Sequence, residues 1–186
     1  MKVLDSLNSP LRIDALQVAE DKGWIGMTIC PGKKRPDSIA GHWDRNLNTD
    51  VDAIAAWGAS VVVTLLEDHE FAEVGVMELP DRVRGAGMHS IILSIPDRHA
   101  PTASFELAWH EQGPLLHQRL ECGERILIHC MGGIGRTGTV AARLLIERGM
   151  AVEEAIAEVR RVRHGAIETA VQETYLRVLG TSMPRQ

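Results

Sequence analysis

The 186-residue chain carries 20 Lys and Arg against 25 Asp and Glu, a net charge of −5 that lacks the basic excess a general nucleic-acid binder needs. Its 45% hydrophobic and 24% charged residues exclude disorder and fibrous architectures, and the length predicts one domain over residues 1–186, with its core at about 24–180. Cys30, Cys122 and Cys130 are odd in number and lack metal-type spacing, so neither a disulfide framework nor a zinc cluster is expected, and a reducing, cytoplasmic setting is.

No apolar run has the length of a signal peptide or of a membrane span, so no membrane partner is expected. Apolar runs at 13–18, 24–29, 60–66, 89–95 and 125–129 read as strands, the last three continuous enough to be covered on both faces. The charged run Lys33, Lys34, Arg35, Pro36, Asp37 reads as an exposed loop. A helix is expected at 51–57 after an Asn48 or Thr49 cap, stopping at Gly58. Another runs from a Ser104 cap toward Gln112, where Gly113 and Pro114 should break or kink it before 115–120. Helices at 139–148, 152–163 and 169–179 follow, the first and last stopping at Gly149 and Gly180. Strands alternating with helices, then a helical tail, predict an α/β domain with a mainly parallel central sheet flanked by helices.

The stretch ILIHCMGGIGRTG, residues 126–138, joins the last strand to the helix after it. At such a junction unpaired backbone N–H groups and the helix dipole converge on an anion, and Gly132, Gly133 and Gly135 let the chain bend around it. Residues Met131, Gly132, Gly133, Ile134, Gly135 and Arg136 would therefore wrap a phosphate. Cys130, at the bottom of that cradle, sits where a positive field favours the thiolate, which makes it a nucleophile. The Arg136 fork suits two phosphoryl oxygens and the charge they gain in the transition state, a geometry that lysine lacks. Thr137 can hydrogen-bond the sulfur and stabilise it as a leaving group when a phospho-cysteine is hydrolysed. A nucleotide-binding P-loop is excluded because no Gly-Lys-Ser/Thr follows the glycines.

This segment resembles the HCxxGxxR[ST]G signature of the cysteine-dependent protein phosphatases, through His129, Cys130, Gly133, Arg136, Thr137 and Gly138. Downstream, Arg160, Arg163, Ala166, Ile167, Gln172, Tyr175 and Leu176 are similar to the family's R-x-x-R, A-I and Q-x-x-Y-L pattern. LSIPDRHAP, residues 93–101, resembles the acid-loop segment of dual-specificity phosphatases, the kinase-associated branch in particular. The resemblance implies a metal-free, cofactor-free phosphatase acting on a phosphorylated protein or a small phosphomonoester, with a phosphate-binding loop between strand and helix.

A leaving oxygen needs a proton, and Asp97, in a loop between Pro96 and Pro101, is the candidate general acid, with Asp68 and Asp81 as rivals. The resemblance gives Gln172 the task of orienting the hydrolytic water, whereas Thr169-x-x-Gln172 also fits a helix capping box. Arg163 is a candidate support for an anion near the loop, and Arg160 a weaker one. His129 reads as a buried partner that shapes the loop, not as a base. Cys30 reads as a small buried hydrophobe, and the alternative is a protective disulfide with Cys130 under oxidation. The loop interior lacks lysine, unlike many relatives that act on inositol phospholipids, so protein substrates are favoured over phosphoinositides, while intact Cys130, Arg136 and Asp97 argue against a non-catalytic binding role. Asp97→Asn is expected to lower kcat by roughly 10²- to 10⁴-fold on substrates with poor leaving groups. Wild-type rates on such esters would remove Asp97 from the mechanism.

Overall fold

In the computed structural model, which describes residues 3–38 and 41–182, the apolar runs become strands in the order the periodicity suggests. The chain begins with β1 (Val3–Leu4), β2 (Asp14–Gln17), β3 (Trp24–Thr28), β4 (Lys34–Ser38) and β5 (Gly41–Asp44). There follow α1 (Leu47–Trp57), β6 (Ala59–Thr64), α2 (Asp68–Glu73), α3 (Leu79–Gly85), β7 (His89–Ile92), α4 (Ala103–Glu121) and β8 (Arg125–His129). Three helices close the fold: α5 (Gly135–Glu147), α6 (Val152–Val162) and α7 (Ala170–Ser182).

The main sheet has the order β2-β3-β8-β6-β7, and only the β2–β3 pair is antiparallel. Because strand side chains alternate between faces, each strand feeds two cores. Met27, Val63, Ile126 and Ile128 pack with residues of α4 to α7, while Val62 and Leu127 pack with α1, α2 and α3. His129 is in register with Thr28 on β3 and Thr64 on β6, so three parallel strands end level with one another just before Cys130. Ligands of open α/β sheets bind outside such strand ends.

Tertiary packing overrides several local signals. Helix α4 runs unbroken through Gly113 and Pro114, because burial of Phe105, Trp109, Leu116 and Leu120 along one face outweighs the bond that the proline removes. Its cap is Thr102, whose hydroxyl accepts from the Phe105 N–H, and not Ser104. Likewise α1 starts earlier than expected, capped by Asn46, whose Oδ1 accepts from the Thr49 N–H at 3.0 Å. Helix α5 begins at Gly135, four residues before the expected Thr139, and its residues from Gly135 to Ile146 are buried. Helix α7 continues through Gly180 to Ser182; a Cβ at Gly180 would stand 2.1 Å from Val152 Cγ2, so the glycine serves a close helix approach and not a stop.

The expected 33–37 loop is also corrected. Lys34–Ser38 forms β4 of a small sheet ordered β1-β5-β4, and Lys33 is buried. A buried ion pair ties this sheet to the main body. Arg45 and Asp50 are each 1% exposed and joined by two bonds of 2.7 and 2.8 Å; Asp50 also accepts from Ser6 Oγ and from the Gly32 N–H, both at 2.8 Å. Removing one charge leaves the other buried and uncompensated. Asp50→Asn should therefore destabilise the protein by about 3–5 kcal/mol in urea unfolding, and a loss below about 1 kcal/mol would contradict this reading of the pair.

Candidate active site

Cys130 follows β8 directly and is buried; its sulfur accepts from the Gly133 N–H at 3.2 Å. Gly133 adopts φ +66°, and a Cβ there would lie 2.1 Å from the Thr28 carbonyl, so glycine is required on both counts. A trans peptide points its N–H opposite to its C=O, so an amide can face the loop's inside only if the preceding carbonyl faces out. The outward carbonyls of this loop have donors. Met131 O meets the Cys30 N–H at 3.4 Å and Lys33 Nζ at 3.5 Å, Gly132 O meets Arg163 Nη2 at 3.3 Å, and Gly133 O accepts from Arg163 Nε. Arg163 is itself anchored by Asp14 at 2.8 Å, so it braces the loop from behind instead of entering the pocket.

Arg136, in the first turn of α5, is 1% exposed. Glu70 of α2 grips it bidentately, at 2.6 and 2.8 Å, and the Ile95 carbonyl accepts from Nη1 at 3.0 Å. Asp97 Oδ1 lies 2.8 Å from Nη2, and among the described residues Nε has no partner. Burial alone would lower the guanidinium pKa, but the bonds from Glu70 and the nearby Cys130 and Asp97 raise it, so the group stays charged. Burial likewise pushes the Glu70 carboxyl upward, while the bonds from Arg136 and the Glu67 N–H bring it below its ordinary value. Glu70 escaped the sequence reading because Glu67 and Glu70 form a capping box, a pattern that signals only a helix start.

A cavity of about 190 Å³ opens over the sulfur, lined by Cys130, Gly132, Arg136, Asp97, Arg98 and Glu168, with Met131, Ile134 and Gly135 completing the loop side. Asp97 is 63% exposed at its mouth. The rivals lie elsewhere: Asp68 is exposed on α2, Asp81 pairs with Arg84 at 2.6 Å, and neither lines the cavity. The acid loop is pinned to the start of α7, since Thr169 Oγ1 donates to Arg98 O at 3.2 Å and Gln172 Nε2 to His99 O at 3.1 Å.

Gln172 is fully buried; its Oε1 accepts from the Glu168 and Thr169 N–H groups at 3.0 and 3.2 Å, which closes the Thr169 capping box beside Gly135. The bond from Thr137 to the sulfur is not formed: with α5 starting at Gly135, Thr137 falls inside the first helical turn, and its buried hydroxyl has no partner among the described residues. Gly133 holds the sulfur instead. His129 is buried with Nε2 2.8 Å from Thr64 Oγ1, and burial pushes its pKa down to about 4, so the imidazole is neutral at physiological pH. Arg160 holds the 166–167 turn through the Ala166 and Ile167 carbonyls and does not line the cavity. Cys30 lies beside the loop as a free, buried thiol whose pKa burial raises.

Residues 35–176 match the family described as a Swiss Army Knife protein, DSP-PTPase phosphatase domain. The chain is 31% identical over 156 residues to cyclin-dependent kinase inhibitor 3 of Sus scrofa, covering 82% of this chain and 70% of that protein. The crystal structure of a kinase-associated phosphatase whose catalytic-site cysteine is replaced by serine superposes with a TM-score of 0.80 at 26% identity, covering 95% and 99% of the two chains. The structure described as Tk-PTP in the active form gives 0.69 at 30% identity, over 91% and 98%. With its cysteine seated beneath a loop of amides and a buried arginine, the chain belongs to the dual-specificity and tyrosine phosphatase domain family and is a cysteine-dependent protein phosphatase.

Proposed function

We propose that the protein dephosphorylates phosphorylated protein side chains in two steps, transfer of the phosphoryl group to Cys130 and hydrolysis of the phospho-cysteine. The observation that carries this reading is the single cavity that gathers the Cys130 sulfur, the Arg136 guanidinium and the Asp97 carboxyl. The loop from Met131 to Arg136 holds the phosphoryl oxygens through its inward N–H groups. The thiolate attacks phosphorus, the S–P bond forms as the ester P–O bond breaks, and Asp97 gives its proton to the departing oxygen. Water then attacks the phospho-cysteine, Asp97 takes a proton from it, and the thiolate leaves.

Asp97 rests against Arg136 Nη2 in the free protein, the seat that a phosphoryl oxygen takes in the complex. Substrate binding thus frees Asp97 to face the leaving group. Glu70 fixes the plane of the guanidinium, so Arg136 needs no reorganisation as charge develops. His129 and Arg163 support the loop, Gln172 holds the acid loop and the α7 start in place, and Thr137 supplies an unpartnered hydroxyl in the first turn of α5. The chemistry requires no metal or organic cofactor.

The relatives' names, which mention a kinase partner, favour a phosphorylated protein as substrate, through phosphotyrosine and phosphoserine or phosphothreonine esters. Among the described residues Arg136 is the one cation that the phosphate loop itself gives the cavity, with Arg98 of the acid loop at its other side, and a loop without lysine disfavours a polyphosphorylated inositol lipid. A reducing, cytoplasmic setting belongs to the same proposal, because the mechanism needs Cys130 as a free thiol.

Hydrolysis of an aryl phosphate in the presence of EDTA is the test. Wild type should turn over and Cys130→Ser should not; residual metal-independent activity in the serine variant would reject the nucleophile. Glu70→Gln should cost on the order of 10²-fold in kcat/KM by loosening the Arg136 fork, and an unchanged value would show that the fork is fixed by other bonds. The stabilising contribution of the ionised Glu70 is full above the ordinary carboxylate pKa and is lost as pH falls through its lowered value, so wild type should lose more stability than the glutamine variant on acidification.

A further inference from the structure

The three cations that follow Gly32 part company in space. Lys34 and Arg35 reach solvent and pair with Asp44 and Glu73 at 3.3 and 3.1 Å. Lys33 turns inward and is 6% exposed, its ammonium 5.0 Å from the centre of the Trp43 ring and 3.5 Å from the Met131 carbonyl. Its backbone is fixed on both sides: Lys33 N–H donates to Cys30 O at 3.4 Å, and Arg45 N–H donates to Lys33 O at 3.1 Å. The preceding Gly32 N–H is held by buried Asp50.

A buried ammonium is costly unless an anion or several acceptors compensate it. Among the described residues no carboxylate forms an ion pair with Lys33, and its acceptors there are one carbonyl and one aromatic face. The charged and titratable groups that act on it are Arg35 on its own strand, Cys30 at the end of β3, Cys130 in the loop and Asp97 in the acid loop. Two of these belong to the catalytic machinery, and a bound phosphate would add negative charge at the same place. Cys130 and Asp97 thus offset part of the burial cost already in the free protein.

We infer that Lys33 is a positioning residue of the phosphate loop. It holds the Met131 carbonyl outward so that the Gly132 N–H faces the phosphate, and it places a fixed positive charge behind the loop. Together Lys33 and Arg163 take the three consecutive outward carbonyls of Met131, Gly132 and Gly133. The inference rests on the phosphatase reading proposed above.

The test uses Lys33→Met and Lys33→Arg, with aryl phosphate as substrate and inorganic phosphate as competitive inhibitor, across pH 6 to 10. Outer groups that orient the groups touching a ligand are typically worth roughly 10- to 100-fold. Lys33→Met, shown folded by its thermal unfolding, should weaken phosphate inhibition and lower kcat/KM by about that factor. Burial, and secondarily Arg35, lower the Lys33 pKa, against the pull of Cys30, Cys130 and Asp97. Its charge is thus present at low pH and lost as pH rises through a value below that of ordinary lysine. Lys33→Arg, which keeps its charge, should restore phosphate inhibition and move the alkaline weakening of that inhibition to higher pH.

A folded Lys33→Met with wild-type phosphate inhibition would overturn the inference, as would phosphate inhibition whose alkaline weakening Lys33→Arg leaves unchanged. The second result decides even if the methionine variant fails to fold. Absence of Cys130-dependent turnover in wild type would instead remove the phosphatase reading itself.

Discussion

A loop that turns its amides toward a ligand must turn its carbonyls away from it, and in a buried loop those carbonyls need donors of their own. Much of this structure around residues 130–136 serves that requirement. Arg163 reaches from the end of α6 to Gly132 O and Gly133 O, anchored in turn by Asp14 on β2. Cys30 and Lys33, at the end of β3, take Met131 O. Ile134 O accepts from the Gly138 and Ile167 N–H groups at 2.9 and 3.3 Å. The parallel register of β3, β8 and β6 ends the strands at one level, which sets the Cys30 N–H beside Met131 O.

The same economy links the site to distant segments. Asp50 holds Gly32, and Arg45 beside it bonds Ser9 O at 2.8 Å, so the N-terminal segment and the small sheet fix the chain that carries Lys33. On the opposite side, Gln172 satisfies the start of α7 while donating to the acid loop, which couples Asp97 to the helical tail. A buried cluster beneath α5 completes the frame: Arg143 meets Glu106 and Glu147, each at 2.7 Å, and its guanidinium lies 4.5 Å from the Trp109 ring centre. The helix that presents Arg136 is thereby held against α4 by charge as well as by apolar contact.

How much was legible follows from whether a residue's task is local. Cys130, the glycines and Arg136 are contiguous, so their spacing alone describes a cradle, and Asp97 is marked by prolines after a strand. Glu70 lies 66 positions from Arg136 in sequence and looks like half of a capping box, so nothing local marks its bond to the guanidinium. Lys33 sits in a run of charged residues that reads as surface, and bonds to residues distant in sequence, Arg45 and Asp50, fix the chain that carries it toward the loop. Gly113-Pro114 shows the converse, a strong local breaker overruled by four buried side chains on one helix face. The Thr137 hydroxyl has no partner among the described residues, and spacing along the chain does not fix where a side-chain hydroxyl points.

In the proposed mechanism phosphate passes through the Cys130 sulfur. Rapid acid quenching of wild type during turnover of an aryl phosphate, followed by mass spectrometry of its peptides, examines that passage directly. A burst of one phenol per protein molecule and a phosphoryl group on the peptide that carries Cys130 are expected. Turnover with that peptide unmodified, or with the phosphoryl group on another side chain, would contradict that mechanism.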